Sequence, residues 1–184
     1  MLCVVAIATV AATACGSSAG KPATSRAQNE ASRTSFASER YGFRVTVAKD
    51  WSHADASVDW DGRHLQGLDS PAFVKLEAPA AAHTLVAAAA PVASDMPLAE
   101  WRAAMVRAAP PVCSESPTAK KTTLGGEPAL TWTASCSDGY HVNKLAAVHG
   151  KRGYMILMAS PTSKDVAENR RVFASSLRSF RFTS

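Results

Sequence analysis

The 184-residue sequence lacks an apolar run long enough to span a membrane. Its longest such run, Leu2 to Ala14, is uncharged and about 13 residues long, roughly 20 Å as a helix. A spanning helix needs about 20 apolar residues. Lys and Arg never occur more than two in a row, which argues against nucleic-acid binding. Cysteine is scarce, with four in the chain. There is no CxxC, and no His stands at ligand spacing beside Cys113 or Cys136. That argues against zinc and against a short-spaced redox pair. HExxH, a phosphate-binding glycine loop and a Cys/His catalytic pattern are missing as well. No catalytic, metal or cofactor-binding residue is assigned, and no internal repeat is evident.

The opening run has the length of the apolar core of a secretory signal. Small residues Ala12, Thr13 and Ala14 lead into Cys15 and Gly16. This stretch resembles the lipobox of bacterial lipoproteins, in which the cysteine is acylated and becomes the first residue after cleavage. The resemblance implies a signal peptide over 1–14, lipidation of Cys15 and a lipid-anchored protein on the extracytoplasmic face of the cell membrane. No Lys or Arg precedes the run, so the true start codon is expected upstream.

Residues 15–38 are expected to form the lipidated N-terminus and a flexible tether. They are rich in Gly, Ser, Ala, Thr and charge, with Phe36 the only large apolar residue. Such a stretch buries too little surface to offset its ordering entropy. Gly16 to Gly20 matches GxSxG and Ser18 to Lys21 matches SxxK. The first needs a strand–turn–helix elbow and the second a buried helix start, and a tether supplies neither.

The remainder, 39–184, is one domain of ordinary size. Hydrophobic content of 47% allows a real core. The net charge of +5 fits either attraction to an anionic envelope surface or plain solubility. Cys3 leaves with the signal and Cys15 carries lipid, so Cys113 and Cys136 remain. A lone pair in an oxidising compartment is expected to form a disulfide, worth about 3 kcal/mol for a loop of this size.

Tyr41 to Val47 alternates as a strand, and 72–78 and 84–92 read as two more. Between them, 52–70 is polar, a loop or a short edge piece. Leu98, Trp101 and Met105 then share a helical face, with Ser94 or Asp95 as cap, Pro97 in the first turn and Pro110-Pro111 as stop. Four strands follow, separated by Gly125-Gly126, Ser137-Asp138-Gly139 and Gly150 to Gly153, which predicts an antiparallel meander. "YMILMA" is apolar on both faces, as in a covered central strand. A second helix carries Val166, Phe173 and Leu177 as its apolar stripe, and "FRFT" is a short last strand. The sum is α+β, a mostly antiparallel sheet flanked by two helices.

The opening "YGFRVTVAKDW", the "LGGEPALTW" hairpin, the "GYHVNKLAAVHGKRGYMILMAS" strand pair and the closing "SSLRSFRF" resemble the PsbP-like α/β/α sandwich, and most closely actinobacterial lipoproteins of the LpqN/LpqT type. The resemblance covers about 40–184. It implies a protein-interaction or accessory module rather than an enzyme, and transfers no binding residue.

Two polar constellations remain. His53, Asp55, Asp59, Asp61, His64 and Asp69 crowd one loop. Ser57 to Gly62 is similar to a calcium loop, but its first ligand is Ser57 and Leu68 stands where a bidentate Glu is needed, so a solvated loop is expected. Trp51 and Trp60 either cap the core or mark a contact surface. His141, Asn143 and His149 share one strand face, which reads as half-exposed; acid–base work there would need a carboxylate or nucleophile that sequence does not place. Two functions follow. One is an interaction module with an envelope protein partner. The other is a carrier of a small apolar ligand or lipid, with Ala87 to Ala90 lining the cavity.

Overall fold

The computed structural model describes residues 32–65, 67–161 and 166–183. The signal run, Cys15 and most of the expected tether lie outside them.

The tether ends earlier than its composition suggests. Arg33–Ser38 forms strand β1, paired antiparallel with β2 (Phe43–Ala48) so that Phe36 lies opposite Val45. Phe36 is buried with Phe43, Val45 and Val47. The domain therefore begins at Ser32, not at residue 39. One large apolar side chain suffices here because β1 is an edge strand on a partner that supplies the remaining apolar surface. β11 (Arg181–Phe182) pairs with the other edge of β2, giving a three-stranded sheet β1-β2-β11.

The larger sheet has eight strands. They are β3 (Ser52–Ala54), β4 (Val74–Glu77), β5 (Thr84–Pro91), β6 (Cys113–Glu115), β7 (Lys120–Leu124), β8 (Glu127–Cys136), β9 (His141–His149) and β10 (Arg152–Ser160). Their order is β3-β4-β5-β10-β9-β8-β6, with β7 also on β8. Strands β7 to β10 form the expected meander, and every pairing is antiparallel. β10 is central and buried from Gly153 to Ser160, because its apolar residues face packed layers on both sides.

Two helices flank the sheet. Helix α1 (Leu98–Arg107) buries Trp101 and Met105. Its N-cap is Pro97 and it has no side-chain cap, so neither Ser94 nor Asp95 plays that part. The indole of Trp101 lies on Gly153, where a Cβ would come within 2.4 Å of the ring, and its Nε1–H donates to the carbonyl of Tyr154 at 2.9 Å. Gly153 is thus a strand residue that admits a helix, and only Gly150 takes the positive φ of the turn, at 59°. On the opposite face, the Tyr154 hydroxyl donates to the carbonyl of Tyr41 at 2.7 Å and its ring meets Phe182.

Helix α2 (Val166–Ser179) also lies on that face. It buries Asn169, Phe173 and Ser176; of the expected stripe Val166, Phe173 and Leu177, Phe173 is buried and Leu177 packs half-buried against the core. Asn169 sits at the contact because its Nδ2 donates to the carbonyls of Met158 and His141, at 3.3 and 3.4 Å. The Ser179 hydroxyl accepts from the Thr46 N–H at 2.9 Å, closing the edge of β2 beyond the short β11. The result is the expected α+β architecture, an antiparallel sheet flanked by two helices.

Candidate functional site

Three segments distant in sequence enclose a cleft of about 320 Å³ on the α1 side of the sheet. The 61–73 loop contributes Leu65, Leu68 and Phe73. The connection leaving α1 contributes Pro110, Val112 and Cys113. The sheet contributes Cys136, Tyr140, Val142, Lys144, Leu157 and Ala159. Val112 at the edge is 51% exposed and extends the apolar lining of the cleft to the surface.

The loop is held down at defined points. Trp60 is buried, packs edge-on against Phe73 and Trp101, and donates its Nε1–H to the carbonyl of His64 at 2.8 Å. The Tyr41 hydroxyl donates to the carbonyl of Ala72 at 2.6 Å and accepts from the Trp60 N–H at 3.1 Å. Burial holds the Tyr41 phenol above its ordinary pKa, partly offset by the Trp60 N–H. Gly62, at φ +74°, brings the chain onto Ala90, whose Cβ would lie 2.8 Å from any Cβ at this position. The alanines of β5 therefore serve close packing. None of Ala87 to Ala90 lines the cleft.

An ion pair lies at the cleft floor. Lys144 Nζ pairs with Glu115 Oε1, the two side chains 4% and 9% exposed. The other carboxylate oxygen, Oε2, accepts from Trp132 Nε1–H at 2.6 Å. Arg102 stacks over Trp132 at 5.3 Å and donates to the carbonyl of Ser116 at 2.9 Å. Sequence reading passed over this group. Its signal is Lys144 itself, a charge at a buried position in the alternation Val142, Lys144, Ala146. Beside it, Cys113 and Cys136 are opposite each other on β6 and β8 and are joined by a disulfide.

The acidic and His-rich loop is not one site. Asp55 accepts from the Ser38 hydroxyl at 2.7 Å, Asp59 pairs with Arg40 at 2.7 Å, and Asp69 pairs with Lys75 at 2.6 Å. Asp61 accepts the Arg63 N–H and meets the His64 ring at 2.7 Å, and these contacts hold its carboxyl below the usual range. Ser57 lies in the same loop, its N–H donated to the Pro71 carbonyl at 2.8 Å. His53 is exposed, with its ring 5.4 Å from Phe36. Among the described residues no group of three His, Cys, Asp or Glu side chains could hold a metal ion. Trp51 is half-buried against the core.

His141, Asn143 and His149 do share a face of β9, but not a site. His141 and His149 stand at opposite ends of the strand, about 26 Å apart along it. Asn143 is buried. His149 stacks on Phe182 at 4.1 Å and meets Glu127 at 2.9 Å.

No family model matches the chain, and no curated protein matches its sequence. Solved structures do match, and they place the chain in the PsbP-like fold class. The cyanobacterial PsbP protein CyanoP from Synechocystis superposes with a TM-score of 0.59 at 13% identity, over 83% of this chain and 93% of that one. LpqN of Mycobacterium tuberculosis, involved in cell envelope biogenesis, superposes with a TM-score of 0.54 at 17% identity, over 83% and 91%.

Proposed function

We propose that the chain is an exported lipoprotein of the LpqN type, anchored through Cys15 at the extracytoplasmic face of the membrane, whose domain is an accessory module that binds an envelope protein without catalysis. The observation that carries this reading is the cleft with Val112 exposed at its edge: an apolar side chain of a partner would cover both. The lipobox-like stretch ending at Cys15 supports the anchor. A photo-reactive residue at Val112 tests the reading in intact cells. One discrete crosslinked protein is expected, and its yield should fall when Leu65 and Leu68 are changed to Ser. A crosslink pattern unaffected by those changes would remove the cleft from partner binding.

The cleft volume also favours a second reading, as carrier of a small apolar ligand, since about 320 Å³ lies at the low end of small-molecule sites. Native mass spectrometry of the tag-free chain separates the two. A co-purified mass favours the carrier, and an unliganded protein favours the adaptor.

A further inference from the structure

We infer that the outer face of the three-stranded sheet and α2 is a binding surface for an anionic bilayer, on which the domain lies with the cleft turned away. Five arginines meet on this face. Arg44 and Arg181 are directly opposite each other across β2 and β11, on the side away from the buried Phe43 and Val45. Arg181 donates to the carbonyl of Arg178 at 2.9 Å, which brings in the end of α2. Arg171, Ser175 and Arg178 are spaced by four and three residues, so they form one stripe of that helix. Arg33 completes the group by reaching Ser175 at 3.4 Å and the Thr46 carbonyl at 3.2 Å.

All five are exposed. Glu168 pairs with Arg171. Among the described residues, Arg33, Arg44, Arg178 and Arg181 have no carboxylate within ion-pair distance. Lys120 and Lys121 on β7 are also without an ion pair among the described residues, but they stand as two cations and not as a group of five. Like charges directly opposed across strands oppose folding, a cost that the Arg181 bonds to the carbonyls of Arg178 and Phe180 offset only in part. Guanidinium groups suit phosphate, which they grip in bidentate fashion.

The position of the chain selects a membrane rather than a soluble polyanion. Arg33 is the first residue of β1, so the polypeptide arriving from the N-terminal side enters the domain at this face. The face is also opposite the α1 side that bears the cleft, which leaves the cleft open. The choice of a membrane rests on the proposed anchor at Cys15; the test omits the lipid, so the surface and the anchor can fail separately.

The test uses the unlipidated chain starting at Gly16. Every residue of the described core, from Phe36 to Phe180, is retained. The chain should sediment with vesicles containing roughly one-third phosphatidylglycerol and not with pure phosphatidylcholine, and added salt should weaken binding. Arg44→Glu with Arg181→Glu should reduce partitioning more than about 25-fold, since each basic residue near such a surface contributes about five-fold. Lys120→Glu with Lys121→Glu changes the net charge equally on exposed β7 and should cost less than about three-fold. An unchanged near-ultraviolet circular dichroism spectrum shows that each variant is folded; if the first pair is not, Arg44→Gln with Arg178→Gln replaces it, with a loss above about five-fold expected. Equal losses for the arginine and lysine pairs would overturn the surface in favour of bulk charge. Binding to soluble polyglutamate but not to vesicles would overturn it in favour of an acidic protein.

Discussion

At Tyr41 one hydroxyl ties three segments together. It bridges Ala72 and Trp60 from the turn after β1, so it fixes both ends of the loop that walls the cleft. Tyr41→Phe removes the bridge and leaves a buried Trp60 N–H unsatisfied, which should cost about 1–3 kcal/mol. Chemical denaturation measures the loss, and faster proteolysis within 61–73 should accompany it. Titration follows the same logic. Burial raises the folded pKa of Tyr41, and of Tyr154, above the unfolded value of 10.0. Stability from both is therefore complete below that value and lost as pH rises through the folded pKa. A stability profile should fall more steeply in the alkaline range for the wild type than for Tyr41→Phe. The Lys144–Glu115 pair poses a different question. A buried pair often contributes little net stability, yet breaking it is costly. Glu115→Gln or Lys144→Met alone should destabilise by about 3–5 kcal/mol, and the double variant by clearly less than the sum. Additive losses in a double-mutant cycle would mean that the two groups do not interact.

At the scale of elements, strands and turns were legible wherever their own residues supply an apolar face, one in β2 and both in β10. Segments that borrow their apolar surface from a neighbour were not. β1 reads as "RTSFAS" and looks like linker until β2 is placed beside it. A chain starting at Glu39 should therefore lose about 3 kcal/mol or more relative to one starting at Ser32, the scale of losing a buried Phe, as read by urea midpoint. The α2 stripe locates Phe173 and Leu177 at the core but not Asn169 and Ser176, which are buried for hydrogen bonds and close approach that hydrophobic periodicity does not register. The cysteine pair was legible from count and compartment; the cleft was not, since its lining comes from positions nearly a hundred residues apart. Reducing the Cys113–Cys136 bond, of sequence separation 23, should lower stability by about 2–4 kcal/mol. Hydrogen exchange should then quicken first in β6, the edge strand that the bond fastens to β8.

At the scale of the molecule, one face carries the arginines and the first residue of β1, and the other carries the cleft. Residues 16–31 connect Cys15 to the domain, and sixteen residues span at most roughly 55 Å. An anchored domain lying on its basic face needs little of that length, whereas one held off the membrane needs most of it. The two arrangements respond oppositely to shortening. Deleting half of 16–31 should leave the Val112 crosslink yield within about two-fold if the domain lies flat, because the cleft faces away from the bilayer in either case. Shuffling the order of these residues should also leave it unchanged, since a connector works by length and not by sequence. Combining the deletion with Arg44→Glu and Arg181→Glu should lower the yield, because a short connector then acts without the surface contact that orients the domain. A shuffled segment that abolishes the crosslink would instead make 16–31 a recognition element in its own right. For the deletion and the shuffled segment alone the urea midpoint should stay constant, because the described core begins at Phe36 and neither change reaches it.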